Sequence, residues 1–166
     1  MRDLAGEMGL TSASLYNAFG DKRALYHTAL DRYVSQSFGD RVERFERHFP
    51  PREAIEGFFE EIIERSLDDK ERKGCMLVNS ALELAPHDRT FRRVVAGVFV
   101  QVEAFFRRCA VAGQTDGTIS TSQSPDDLAR LLLGVLLAIR VLARTRPERE
   151  LIEGLIRPVF ALLDDH

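Results

Sequence analysis

Leu4-Ala5-Gly6-Glu7-Met8-Gly9-Leu10-Thr11-Ser12-Ala13-Ser14-Leu15-Tyr16-Asn17-Ala18-Phe19-Gly20-Asp21-Lys22-Arg23-Ala24-Leu25 is the stretch whose reading decides the fold. A short helix closes at Gly9, a tight turn follows, and Thr11 is placed to cap a second short helix. Leu4, Ala5, Leu10, Leu15 and Phe19 are spaced to face one small core, which is the pattern of a helix-turn-helix. The second helix then presents Ser12, Ala13, Ser14 and Asn17, small and polar groups that let a helix sit deep in a major groove. Tyr16 and Lys22 stand at its flanks, where phosphates would lie.

Outward from this motif the chain reads as all-α. Apolar residues recur at i, i+3, i+4 and i+7, and no segment sustains the alternation of a strand. Asp21 is expected to cap a helix with the stripe Leu25, Tyr26, Ala29, Leu30, Tyr33 and Val34, running past Phe38 toward Phe45. Phe49-Pro50-Pro51 stops it, and Pro51 suits the first turn of a helix with the stripe Ile55, Phe58, Phe59, Ile62, Ile63 and Leu67. The opposite face, Glu53, Glu56, Glu60, Glu61 and Glu64, reads as a solvated surface rather than catalytic carboxylates. Gly74 should open a short apolar helix over Cys75 to Leu82, ended by Pro86. Asp88 then caps a helix of about 25 residues ending in the Gly113 to Gly117 region. Ser124-Pro125-Asp126-Asp127 combines an N-cap, a proline at the first helical position and two carboxylates in the first turn. A last helix is expected from Pro147 to about Leu163, bent at Pro158.

The helices over Ser124–Arg146 and Pro147–Leu163 carry more apolar surface than the chain can cover alone, so they are expected to form a four-helix bundle with a second copy in a homodimer. The 166 residues, 45% hydrophobic, suffice for a sizeable core. Cys75 and Cys109 lack metal-ligand spacing and read as buried free thiols in a reducing cytoplasm, with no metal or cofactor expected. Leu131 to Ile139 is too short to span a bilayer, and Met1 to Leu10 lacks a signal-peptide pattern. Charge gives no support for nucleic-acid binding: the net charge is −3, and residues 1–37 balance Arg2, Lys22, Arg23 and Arg32 against Asp3, Glu7, Asp21 and Asp31. His27, His48, His87 and His166 lie on different elements, and no nucleophilic triad or phosphate-binding glycine loop is present, which argues against an enzyme.

The order Leu4-Ala5, Gly9-Leu10-Thr11, Leu15-Tyr16, Phe19, Lys22, Leu25 closely resembles the signature of the TetR family of transcriptional regulators. The resemblance implies a helix-turn-helix domain over residues 1–37 and a ligand-binding and dimerisation domain over residues 38–166. It implies that Thr11, Tyr16 and Lys22 hold the backbone of a double-stranded DNA operator, while Ser12, Ala13, Ser14 and Asn17 approach base edges. A pocket for a small apolar effector is implied among the later helices, with Phe58, Phe59, Ile62, Met76, Asn79, Phe99, Val102, Phe106 and Arg140 as candidates. The phenylalanines fit core as well as pocket. Asn79 and Arg140 are the polar groups of a mostly apolar set, and Arg140 could instead pair with Glu83 or with a carboxylate of a second copy. The implied function is a ligand-responsive repressor acting on a palindromic operator. Family members carry a further helix ahead of this motif, so the N-terminal core is expected to be completed by residues upstream of Met1; the alternative is a helical ligand-binding dimer without DNA binding.

Overall fold

The computed structural model describes residues 1–164, so His166 lies outside the described residues. Nine α-helices are described: α1 (Arg2–Glu7), α2 (Ser12–Phe19), α3 (Lys22–Val34), α4 (Asp40–His48), α5 (Pro51–Leu67), α6 (Met76–Glu83), α7 (Arg89–Asp116), α8 (Pro125–Thr145) and α9 (Arg149–Ala161). A π-helical turn over Ser35–Gly39 joins α3 to α4, and the expected division of the chain after residue 37 falls inside it. No strand occurs among the described residues.

The helix starts follow their caps. The Asp21 carboxylate accepts from the Ala24 N–H at 2.7 Å, Asp88 from Thr90 N–H at 2.8 Å, and the Ser124 hydroxyl from Asp127 N–H at 3.1 Å. Pro51 and Pro125 occupy first turns, where a missing N–H costs nothing. Two starts differ from expectation. The short helix expected over Cys75 to Leu82 begins at Met76 with Cys75 as N-cap, and Gly74 ahead of it takes a left-handed φ of 71° and donates its N–H to Asp69 Oδ2 at 2.7 Å. The last helix begins at Arg149 with Glu148 as N-cap, leaving Pro147 in the connection.

The core lies between α5, α7 and α8. Phe58, Phe59, Phe105 and Phe106 are fully buried and form one ring cluster. Phe58 meets Phe106 edge-on at 5.3 Å, while Phe59 stacks on Phe106 at 5.5 Å. Leu128, Leu132, Leu136 and Ile139 of α8 and Ile152 and Ile156 of α9 close the cluster from one side. The end of α7 is packed tightly: a β-carbon on Gly113 would stand 2.5 Å from Ile119 Cδ1. The glutamates of α5 are partly enlisted in ion pairs, with Glu61 joined to Arg41 at 3.0 Å and Glu64 to Arg149 at 2.7 Å. Cys75 and Cys109 are buried and unpaired, and burial pushes the Cys109 thiol up to about 12. No described helix is long and apolar enough to cross a membrane.

Candidate nucleic-acid interface

The second short helix is set by three local features. Gly9 turns the chain with φ 64° and Gly20 ends α2 with φ 81°, both left-handed conformations that glycine reaches without a β-carbon penalty. Between them Thr11 takes an extended conformation, and its hydroxyl accepts from the Ser14 N–H at 3.1 Å. The Thr11 and Ser14 hydroxyls are also hydrogen-bonded, at 2.9 Å, so both are oriented before any partner arrives.

One side of α2 is buried and the other is open. Leu15 is buried to 1% exposure and anchors α2, with Phe19 half-buried beside it. Ala13, Ser14, Tyr16 and Asn17 are exposed, Ser12 is half-buried, and Lys22 stands exposed at the first residue of α3. The expected DNA-contacting set therefore occupies one face of α2 and the start of the next helix. Of the residues expected to form the small core, Ala5 and Leu15 are buried, but Leu4 and Leu10 are 42% and 47% exposed. With six residues α1 buries one side only, and Ala5 takes it, while Leu10 lies beyond the end of α1 in the turn.

This unit is fastened to the rest of the molecule at the first turns of α3. Arg23 binds Asp88 through two hydrogen bonds and reaches Thr90 Oγ1 at 3.3 Å, and Tyr26 shares a hydrogen bond of 2.9 Å with Ser80 of α6. Tyr26 and His27 both rest on the Phe91 ring of α7, at 5.6 and 5.7 Å between centroids.

Residues 51–158, more than half of the chain, match the model of the tetracyclin repressor-like C-terminal domain. The chain belongs to the TetR family. It is 26% identical over 165 residues to the uncharacterised helix-turn-helix transcriptional regulator YezE of Bacillus subtilis, covering 99% of this chain and 85% of that protein. It is likewise 26% identical to the transcriptional repressor DhaR of a Mycobacterium species, over 98% of this chain and 81% of DhaR. Among solved structures, a cysteine variant of the TetR-family regulator CifR, in complex with 26-bp double-stranded operator DNA, superimposes with a TM-score of 0.81 at 25% identity, covering 97% of this chain and 84% of CifR. A TetR regulator from Chloroflexus aurantiacus, 22% identical, shares the fold with a TM-score of 0.81 over 96% of this chain and 81% of its own.

In this TetR-family chain the candidate effector residues separate into three groups. Phe58, Phe59, Ile62 and Phe106 are fully buried against one another and line none of the clefts described here. In this structure they pack against one another within the core. Met76 and Phe99 are half-buried against the same core. The other three border clefts, Val102 while only 1% exposed. Val102 borders a cleft of about 460 Å³ between α4 and α7, together with Phe38, Val42 and Val98. Asn79 borders a smaller cleft with Val78, Leu82 and Val141, but its amide is used within the chain: Nδ2 donates to the Lys73 carbonyl at 3.0 Å and Oδ1 accepts from Arg144 Nη1 at 2.9 Å.

Arg140 lines a cleft of about 360 Å³ where α8 meets the π turn and the end of α5. Its Nη1 donates to Ser66 Oγ at 3.0 Å, and no carboxylate lies within ion-pair distance among the described residues. Glu83, the partner considered for it within the chain, instead lines a separate cleft with Lys22, Arg23 and Asp88. Sequence reasoning did not single out Tyr33, Ser66 and Asp69, which surround Arg140, because their proximity depends on how three helices and a loop converge.

Proposed function

We propose that this chain is a ligand-responsive transcriptional repressor that binds a palindromic operator as a homodimer in the cytoplasm and is released by a small effector held in the helical domain. The observation that carries the reading is the open face of α2. A side-chain-capped helix presents Ser12, Ala13, Ser14 and Asn17 together, with Tyr16 and Lys22 beside them, in a unit buried through Leu15. Thr11, Tyr16 and Lys22 are assigned to the DNA backbone, and Ser12, Ala13, Ser14 and Asn17 to base edges. CifR with its operator supports DNA as the partner, and the name of DhaR supports repression. For the effector, Arg140 and Asn79 are the candidates that line open clefts, Val102 borders a third while almost fully buried, and Met76, Phe99, Phe58, Phe59, Ile62 and Phe106 pack in the core beneath the helical surface. Selection of bound sequences from a random duplex library tests the reading. Enrichment of an inverted repeat, with half-sites about one helical turn or more apart, is the expected result, and sequence-independent binding alone would refute it.

A further inference from the structure

The Arg140 cleft has a charge imbalance that an uncharged effector does not explain. Arg65, Lys73, Arg140 and Arg144 line it against the single carboxylate of Asp69. Arg65 lies 3.6 Å from Glu61 and Lys73 meets Glu71, so these two are partly neutralised. Among the described residues Arg144 and Arg140 have neutral acceptors only: the Asn79 amide at 2.9 Å and the Arg72 carbonyl at 3.4 Å for the first, the Ser66 hydroxyl for the second. Asp69 accepts the Gly74 N–H, which holds its carboxyl below the usual range and keeps it ionised.

Two guanidinium nitrogens in this region are buried with no hydrogen-bond partner among the described residues, Arg140 Nε and Arg41 Nη1. Leaving a charged donor dry and unpaired is costly, and a buried group in that condition fits a site whose acceptor arrives with a ligand. Arg41, 3% exposed, does not line the cleft but is held below its ordinary value first by burial and then by the nearby charges of Arg65 and Arg140. An anion in the cleft would relieve that repulsion and give the Arg140 guanidinium a charged acceptor.

We propose that this cleft binds the carboxylate of a small organic acid, with Arg140 as the receiving group and Arg144 and Lys73 at its rim. The proposal rests on the effector reading above and adds a charged head to it. A planar guanidinium fork matches carboxylate and phosphate alike. With Arg65 and Lys73 drawn to Glu61 and Glu71, Arg140 and Arg144 against Asp69 leave one net positive charge, which a monoanion neutralises and a dianionic phosphate exceeds. A volume of about 360 Å³ suits a ligand at the small end of the usual range. The cleft also includes Tyr33 of α3 and Ser37 of the π turn, so a bound acid touches the helix that begins with Lys22 and Arg23.

Titration calorimetry of the full chain, in DNA-free buffer, tests this with benzoate, hexanoate, phenyl phosphate and neutral benzamide. Benzoate or hexanoate should bind at millimolar concentration or better, with benzamide and phenyl phosphate at least about tenfold weaker. Arg140→Gln should weaken the carboxylate about tenfold to a hundredfold, and Arg140→Lys should fall between it and the parent. Asp69→Asn provides a gain: carboxylate binding tightens and benzamide binding does not change. Equal binding of benzamide and benzoate, tighter binding of phenyl phosphate, no heat from either acid, or indifference of the acids to Arg140→Gln would each overturn the assignment. Should Arg140→Gln fail to fold, as circular dichroism would reveal, the Asp69→Asn result decides alone, and an unchanged affinity overturns. Since no DNA is present, a failure here is separable from a failure of operator binding, which the library selection reads.

Discussion

Arg23 Nε lies 2.6 Å from Asp88 Oδ2 and Arg23 Nη2 lies 3.0 Å from Asp88 Oδ1, joining the first turn of α3 to the N-cap of α7. The same carboxylate caps α7 through the Thr90 and Phe91 N–H groups, and the Arg23 guanidinium stands 5.8 Å from the Phe91 ring. Asp88 therefore serves two structures at once, and substitutions can separate them. Asp88→Asn keeps an oxygen for the cap but removes the ion pair, whereas Asp88→Ala removes both. Thermal melts should rank parent, Asp88→Asn, Asp88→Ala in falling order. In a double-mutant cycle Arg23→Ala should add little to Asp88→Asn; strict additivity would mean that the pair does not form in solution.

Acid should act through the same pair and through Glu46. Hydrogen bonding from Arg23 holds the Asp88 carboxyl well below the usual range, and hydrogen bonding from Arg108 lowers that of Glu46. A carboxylate depressed in the folded state contributes in full above its unfolded value of about 4 and loses that contribution as pH falls through the folded value. Stability should stay level from pH 7 to about 5 and decline below about 4, with protons taken up on unfolding. Denaturant melts across pH measure it. Glu46→Gln should flatten the acid limb, and an unaltered limb would count against the Arg108 pairing.

On α2 the prediction separates two kinds of contact. Lys22→Ala and Tyr16→Phe should weaken binding to all duplexes alike, with the salt slope falling by about one for Lys22. Asn17→Ala should cost about 1–3 kcal/mol at one preferred base pair and little elsewhere. Competition binding against an operator library measures both, and identical profiles for Asn17→Ala and Lys22→Ala would contradict the division of roles.

The parts of this architecture legible in the sequence are those encoded locally. Thr11, Asp21, Asp88 and Ser124 announce helix starts because a short side-chain oxygen near a run of periodic apolar residues has few other local uses. The π turn at Ser35–Gly39 was not legible, since one extra residue per turn leaves the apolar stripe almost intact from Tyr33 to Phe38. The ligand domain is hardest to read because its polar contacts join distant positions: Arg144 meets Asn79 and Arg140 meets Ser66 across 65 and 74 residues. Periodicity put Phe58, Phe59 and Phe106 on inward faces but carried no information on whether the rings would meet one another or enclose space.

The core makes a direct test of that packing. Phe58 is fully buried and lies 5.3 Å from both Phe105 and Phe106. Phe58→Ala should cost about 3–5 kcal/mol. Gly113→Ala should cost about 1–3 kcal/mol through its clash with Ile119. Urea melts with unchanged slope check both, and a neutral Gly113→Ala would show that the Ile119 loop yields freely.

The final prediction concerns the outer face of α8 and α9. On α8, Leu131, Gly134 and Val141 are exposed and Ala138 is half-buried, a stripe at helical spacing whose small middle residues allow close approach of another helix. On α9, Leu155 and Leu151 are half-buried and Pro158 and Leu162 exposed, again along one face. Meanwhile the opposite faces, through Leu132, Leu136, Ile139, Ile152 and Ile156, are fully engaged in the core. An apolar surface of this kind, covered by its counterpart in a second copy, fits the isologous arrangement of a two-fold dimer, and a stable one buries on the order of 1,200 Å² or more. Phe160 is a poor probe of this face, since its ring packs on Phe59 at 6.0 Å and a charge there would attack the core. Val141→Asp and Leu131→Asp are cleaner, being 42% and 40% exposed in the parent residue. Each should shift the chain to a monomer in sedimentation velocity while preserving its helical content. The parent's melting temperature should rise with protein concentration as coupled dissociation requires, and the variants' should not. Val141→Asp sedimenting as a dimer with the parent's affinity would place the interface elsewhere.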